Sequence, residues 1–240
     1  MPPSPPAFSS PIAASSRQLV FVVAPAWDSK AAQLQRFERA GSDGEWQPVG
    51  PAIAVSLGHA GLAWGRGLHP VVDGREKREG DGCAPAGVFA ITALFGDAAP
   101  DSPFARAAKL PYLAATLDLK AIDDPASAHY NRIVDQSVVA PDWASCEDML
   151  RPDERYAIGA IIAHNAEPRV PGAGSCIFLH VWAGPGVPTA GCTAMALADM
   201  SQIVGWLDAS AAPLLVQLPQ AEYAARRAAW GLPTGSLPMR

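Results

Sequence analysis

Two residues of this sequence, His180 and Cys192, have the types and the spacing that nucleophilic catalysis by a thiol requires. The thiolate is the attacking species, so a cysteine at neutral pH needs a nearby base to act as a nucleophile. The two residues lie twelve positions apart (192 − 180). This separation fits a strand, a return loop and a second element packed beside the strand. The sequence therefore predicts an imidazole on a strand next to a cysteine nucleophile.

The surrounding segment, GSCIFLHVWAGPGVPTAGCTAM, indicates how the two residues are positioned. We expect a buried strand over Ser175–Trp182, then a loop broken by glycine and proline, then a tight Ala-Gly-Cys turn. A helix is expected to start near Ala194, and its N-terminus would lower the pKa of the Cys192 thiol. The glycines permit close backbone approach, so the N–H groups of Gly191 and Cys192 are candidates to stabilise an oxyanion.

Both residues also have an ordinary structural interpretation. Cysteine is among the most buried residue types, and most buried cysteines are inert. A histidine at the end of an apolar strand is usually a core or rim residue whose ring nitrogens are hydrogen-bonded. Cysteine–histidine pairs are recognised by their geometry, so the sequence leaves both interpretations open.

The segment resembles the catalytic motif of the YkuD-type L,D-transpeptidases, in which a strand histidine precedes a variable loop and a Ser/Thr-His-Gly-Cys turn. Thr189, Gly191 and Cys192 match that turn. His180 matches the strand histidine, whereas Ala190 stands where the family has its turn histidine. The resemblance implies that Cys192 is the nucleophile and His180 the base. It also implies that the change at position 190 alters substrate preference more than chemistry.

A second segment, Gly80–Phe89, resembles the family's Thr-Pro-x-Gly-x-Phe element, with Ala84 in place of the threonine. The likeness runs loosely from about Gln18 to Leu218 and is greatest for a divergent branch with Thr-Ala-Gly-Cys at the nucleophile. It implies a mainly β (β-rich α+β) fold, a YkuD-like β-barrel or sandwich with one or two packed helices. The 24 prolines and 21 glycines also favour a strand-rich domain with many turns.

The composition argues against several other classes of protein. A length of 240 residues with 49% apolar residues suffices for one full domain or two small ones. The net charge of −5 argues against a nucleic-acid partner, and no apolar run is long enough to span a membrane. No C-x-x-C pair occurs among the four cysteines, so we expect no metal ion and no cofactor. Cys176 is expected to be a buried thiol. The sequence does not decide whether Cys83 and Cys146 form a disulfide.

We divide the chain into a disordered Pro/Ser/Ala-rich tail over 1–16, an L,D-transpeptidase-like catalytic domain over 17–220, and a C-terminal helix and tail over 221–240. The first segment lacks the charged start and continuous apolar stretch of a secretory signal. The resemblance implies peptidoglycan stem peptides as partners and a periplasmic or cell-wall location. The sequence leaves the export route open, and we expect a monomer.

Short apolar runs bounded by turn residues predict strands. We place these strands at Leu19–Val23, Ala52–Leu57, Val88–Leu94, Leu110–Asp118, Tyr156–Ala163 and Leu214–Leu218. The sequence Ser42-Asp43-Gly44 predicts a hairpin turn. Besides the helix near Ala194, we place helices at Ala144–Leu150 and Ala221–Trp230, and loops at Ala121–Ser127 and at the mixed-sign run Arg75–Glu79.

Three further side chains are candidates for substrate binding: Thr189 in the turn, Trp182 and His164. Trp182 follows His180 by two positions and shares its face if the strand is regular, although core packing explains an indole equally well. His164 ends a strand that is expected beside the histidine strand, and its alternative role is a polar strand end facing water.

Three functions fit these residues. The first is a peptidoglycan L,D-transpeptidase that forms cross-links through a Cys192 thioester, of the 3–3 kind or, given Ala190, of a 1–3 kind between L-Ala and diaminopimelate. The second is a hydrolase that uses the same residues with water as acceptor, an L,D-carboxypeptidase or an amidase. The third is a non-catalytic domain that binds the cell wall.

Overall fold

The structure, a computed structural model, describes residues 10–234. Within these residues it contains thirteen β-strands and three α-helices. The strands are β1 (Gln18–Ala24), β2 (Ala31–Glu38), β3 (Gln47–Ser56), β4 (Leu62–Trp64), β5 (Ala84–Gly96), β6 (Tyr112–Ala114), β7 (Leu119–Ile122), β8 (Ile133–Asp135), β9 (Cys146–Asp148), β10 (Ile158–Ile162), β11 (Phe178–Val181), β12 (Thr193–Met195) and β13 (Leu214–Pro219). The helices are α1 (Pro103–Ala107), α2 (Leu197–Trp206) and α3 (Gln220–Trp230).

Eight of these strands form a closed barrel in the order β10, β11, β12, β3, β2, β1, β13 and β5, and β5 pairs with β10 to close the ring. The short strands β4 and β6 pair with β5 outside this ring. The hairpin predicted at Ser42-Asp43-Gly44 is confirmed, since it joins the antiparallel strands β2 and β3. Large apolar side chains such as Phe21 and Phe89 are fully buried in the main core. The mainly β fold expected from the sequence is confirmed.

Two helices pack on the barrel through one apolar face each. α2 buries Met200, Ile203 and Val204, whose spacing is that of a single helical face. α3 buries Tyr223 and Trp230. The third helix, α1, has five residues and buries none of them. The expected packing of one or two helices on a β domain is therefore confirmed.

Residues 10–16, expected to belong to a disordered tail, pack onto the C-terminal helix. The Ser10 hydroxyl donates a hydrogen bond of 2.6 Å to the Trp230 carbonyl, and Ile12 is buried. The expected tail is therefore shorter, because burying an apolar side chain offsets the entropy lost on ordering the segment. Residues 1–9 and 235–240, the remainder of the two predicted tails, lie outside the described residues.

A second sheet of three strands is inserted between β6 and β10, in the order β8, β7, β9. Ala121 in β7 and Met149, which follows β9, are fully buried. They pack in one apolar cluster with Tyr156, Phe178 and Cys192. This small sheet therefore covers the part of the barrel that carries the candidate nucleophile.

Several element boundaries differ from the sequence predictions. The helix predicted at Ala144–Leu150 is wrong: it contains β9, whose pairing with β7 overrides local helix propensity. The loop predicted at Ala121–Ser127 begins inside β7. The strands predicted at Leu110–Asp118 and Ser175–Trp182 are shorter in the structure, where β6 has three residues and β11 has four. The strand predicted at Tyr156–Ala163 is β10, which starts two residues later after a 3₁₀ turn.

The fully buried side chain of Gln217 joins β13 to β12 and β5. Its Oε1 accepts from Thr193 Oγ1 at 2.7 Å, and its Nε2 donates to the Pro85 carbonyl at 2.9 Å. We expect Gln217→Leu to lower the free energy of unfolding by about 2–3 kcal/mol, because both partners lose their hydrogen bonds in a buried site. Urea unfolding followed by tryptophan fluorescence measures this change. Gln220→Leu, at an exposed position of α3, is the control, and equal effects would contradict the bridging role.

Candidate active site

Cys192 ends the glycine turn and immediately precedes β12. Its thiol donates to the Cys176 carbonyl at 3.5 Å and accepts the Phe178 N–H at 3.3 Å. The residue is buried, with 8% of its surface exposed. The helix predicted from near Ala194 is α2, but it does not start directly behind the thiol. Helix α2 begins at Leu197, because the residues before it pair with β11 as a strand.

The surroundings of Cys192 keep its thiol protonated. Burial raises the pKa of the thiol to about 12, and the negative charge of Glu147 acts in the same direction. The Phe178 N–H and the positive charge of Lys77 lower the pKa, and their influence is weaker. The lowered pKa expected from the sequence is therefore wrong for this conformation. The small sheet of β7, β8 and β9, which we call the cover, keeps away the water that would solvate a thiolate.

His180 lies in β11 with its ring fixed by the backbone. Its Nδ1 is 2.8 Å from the Val181 carbonyl oxygen. A carbonyl can only accept, so Nδ1 carries the proton and Nε2 keeps its lone pair. Burial lowers the pKa of the imidazole to about 4, so the ring is neutral at pH 7. A neutral ring in this tautomer can accept a proton at Nε2.

The strands β11 and β12 are parallel neighbours, and their pairing brings Cys192, the residue before β12, next to the strand that carries His180. His180 lies opposite Ala194, and Leu179 lies opposite Thr193. Cys192 lies just before β12, outside the regular strand, and its thiol accepts the N–H of Phe178, two residues before His180. Among the described residues, no hydrogen bond joins the two side chains. Proton transfer therefore requires the thiol to leave its present partners.

Tyr156 ties the histidine to the small sheet that covers Cys192. Its ring packs edge to face against the His180 ring, with 5.3 Å between centroids and 76° between planes. Its hydroxyl donates a hydrogen bond to Glu147 in β9. Burial raises the pKa of Glu147 and that of Tyr156. The sequence carries no signal for either residue, because their partners come from distant segments.

Thr189 holds the turn around Cys192. Its hydroxyl donates to the Cys192 carbonyl at 2.7 Å and accepts the Gly191 N–H at 3.1 Å. The Gly191 N–H, a candidate oxyanion donor, therefore already has a partner. The Cys192 N–H makes no hydrogen bond with the described residues. A Cβ at position 191 would lie 3.0 Å from the Cys83 carbonyl oxygen, so glycine lets the turn pack closely on the start of β5.

The run Arg75–Glu79, predicted to be a solvated loop, contains two residues with interior partners. Lys77 is buried, and its Nζ lies 2.5 Å from Asp81 Oδ1. Glu79 accepts a hydrogen bond of 2.5 Å from the Tyr130 hydroxyl. The prediction is wrong for these two residues, because specific partners offset the cost of taking charges out of water.

The other two candidate substrate-binding residues have different surroundings. His164 is 1% exposed, its Nε2 lies 3.0 Å from the Ala173 carbonyl oxygen, and its Nδ1 accepts the Arg66 N–H at 3.2 Å. Both ring nitrogens are bonded to backbone, and this favours a structural role for His164. Trp182 is half-buried and follows the last residue of β11, so the regular strand needed for a face shared with His180 stops before it.

The four cysteines are free thiols, so Cys83 and Cys146 do not form a disulfide. Cys176 is buried, as expected. Within residues 10–234, no group of histidine, cysteine and acidic side chains is arranged to hold a metal ion. The helices of that part of the chain are all too short or too polar to cross a membrane.

The closed barrel and the strand pair carrying His180 and Cys192 define a β-rich domain with a cysteine in a glycine turn. The sequence matches the family model of the YkuD L,D-transpeptidase catalytic domain over residues 55–216. This match spans more than half of the 240 residues and includes both candidate catalytic residues. The chain therefore belongs to the YkuD family. Searches among curated proteins and among solved structures gave no match.

The Tyr156 hydroxyl provides a test of how the cover is held. Tyr156→Phe keeps the ring against His180 and removes the hydrogen bond to Glu147. We expect Cys192 to react about tenfold faster with a small thiol reagent, because losing a hydrogen bond to a charged group raises the population of the open state by about that factor. Labelling is quantified at Cys192 by peptide mapping.

Tyr112→Phe is the matched control for this experiment. The Tyr112 hydroxyl donates to the Gly96 and Ala98 carbonyls and not to the small sheet. Its loss is expected to leave the labelling rate of Cys192 unchanged. Equal rates for wild type and Tyr156→Phe would show that this hydroxyl does not hold the cover.

Proposed function

We propose that the protein is a peptidoglycan L,D-transpeptidase that joins stem peptides through a thioester on Cys192. Membership of the YkuD family supports the reaction class. The observation that carries the proposal is the pairing of β11 with β12, which sets a cysteine beside a histidine whose Nδ1 is fixed by a carbonyl. Because this substrate is part of the cell wall, the proposal includes a location in the periplasm or at the wall.

The first half of the reaction forms the thioester. Cys192 Sγ attacks the carbonyl carbon of an L-configured residue in the donor peptide, while His180 Nε2 takes the thiol proton. The Nδ1–H bond to the Val181 carbonyl stabilises the imidazolium that results. The oxyanion of the tetrahedral intermediate faces the Cys192 N–H. His180 returns the proton to the leaving amine as the C–N bond breaks.

The second half transfers the acyl group. A side-chain amine of a second stem peptide attacks the thioester carbonyl, and its proton passes to His180. The C–S bond breaks, and the sulfur recovers its proton from His180. One amide bond has formed, and the enzyme is restored. The link is of the 3–3 kind or, because the exposed Ala190 leaves room beside the nucleophile, of the 1–3 kind.

The cover must be displaced before this reaction can start. A thiol that is covered and has a pKa of about 12 does not attack a peptide at neutral pH. Binding of the donor must therefore displace the cover near Tyr156 and Glu147. The negative charge of Glu147 disfavours the thiolate until the donor separates the two groups.

Two substitutions test the proposed roles. We expect Cys192→Ala to reduce cross-link formation by several orders of magnitude, because it removes the nucleophile. We expect His180→Gln to lower kcat by about 100-fold or more with little change in KM, because it removes proton transfer and not binding. Mass spectrometry of the products formed from defined muropeptides gives both rates. Cys176→Ala, at the neighbouring buried thiol, is the control.

The outcomes distinguish the three functions. If Cys192→Ala kept more than a few per cent of the wild-type rate of cross-link formation, Cys192 would not be the nucleophile. Shortened peptides formed in the presence of an added amine, with no new amide, would identify a hydrolase. Binding of muropeptides without any product would identify a wall-binding domain.

A further inference from the structure

A groove of about 480 Å³ lies beside the segment that leads into β11. One wall contains Cys176 and Phe178, the two residues whose backbone groups bond to the Cys192 thiol. The other walls include Ile133 of β8 and Ile161 of β10, which pack against the apolar cluster around the nucleophile. A molecule lying in this groove therefore ends next to the partners of the thiol.

Two arginines and one carboxylate, Glu167, line the groove, so its net charge is positive although the chain as a whole carries −5. Arg132 is exposed and forms no ion pair within residues 10–234. Arg169 is mostly covered: its Nη1 lies 3.0 Å from Glu167 Oε1, and its Nε donates to the Asn131 carbonyl at 3.4 Å. The Glu167 side chain is 82% exposed, so solvent weakens its hold on Arg169.

Hydrogen bonds of Asn131 and Asn165 fix the wall of the groove that contains Cys176. The Asn131 amide donates to the His164 and Asn165 carbonyls at 2.9 Å, and its Oδ1 accepts the Cys176 N–H at 3.0 Å. Asn165 in turn bonds to both backbone groups of Val170 at 2.9 Å. The wall is therefore rigid before any ligand arrives, a condition that reduces the entropy lost on binding.

We propose that this groove binds a short peptide through its C-terminal carboxylate, which Arg132 and Arg169 receive. The guanidinium group is planar and forms paired, charge-assisted hydrogen bonds with a carboxylate. Every short peptide with a free C-terminus carries a carboxylate there. The aliphatic walls of the groove can contact the apolar atoms of the peptide. The inference rests on the proposed function, because it makes the groove the place where a donor peptide is held beside the residues that contact the Cys192 thiol.

The test measures binding without turnover. A stem tetrapeptide with a free C-terminus and its C-terminal amide are titrated into the Cys192→Ala protein by calorimetry. We expect the free acid to bind about tenfold more tightly than the amide, the factor typical of a hydrogen bond to a charged group. Adding Arg132→Gln and Arg169→Gln removes this preference and leaves binding of the amide unchanged. Arg106→Gln, on the exposed surface of α1, retains the preference.

A conservative variant separates recognition from loss of structure. Arg132→Lys with Arg169→Lys keeps both charges without the paired geometry, so part of the preference returns. The proposal is overturned if the parent protein binds acid and amide equally, or if the double Gln variant keeps the preference. Either result leaves the role of Cys192 untouched, since that role is measured by covalent chemistry at the thiol and not by binding.

Discussion

The parallel pairing of two short strands is the interaction on which the rest of the candidate site depends. β11 contributes four residues and β12 three, and their register decides which side chains share a face. A shift of one residue would reverse the face of the β12 side chains relative to His180 and move Cys192 away from the Phe178 N–H, because side chains alternate along a strand. The Thr189 hydroxyl on one side of Cys192 and the Gln217 bridge to Thr193 on the other hold that register.

The cover over this strand pair makes the protonation of Cys192 and His180 depend on substrate binding. In the covered state the thiol has a pKa of about 12 and the imidazole a pKa of about 4, so both groups are neutral. Transfer of the proton would create an ion pair in an apolar cluster, which is costly without new dipoles. In the proposed reaction, a peptide that replaces the cover brings a carbonyl to the Cys192 N–H. The low dielectric that suppresses the thiolate then strengthens that hydrogen bond to the oxyanion.

The sequence predicts the parts of the fold that have a local pattern. The strand with His180 follows from its short apolar run, and the turn with Cys192 follows from the placement of its glycines. β12 has three residues, too few to show a period, and its existence depends on pairing with β11. β9 likewise forms only because β7 lies beside it. Glu147 and Tyr156 meet through the fold, and the charge run around Lys77 gives no sign of its buried partner.

We propose that Cys192 is a nucleophile activated by His180. The most direct measurement is the intact mass of the protein after incubation with a carbapenem, an acylating agent for reactive thiols, followed by peptide mapping of the adduct. We expect one acyl group on Cys192, slower formation of that adduct in His180→Gln, and no adduct in Cys192→Ala. An unmodified protein, or an adduct on Cys83, Cys146 or Cys176 instead, would contradict it.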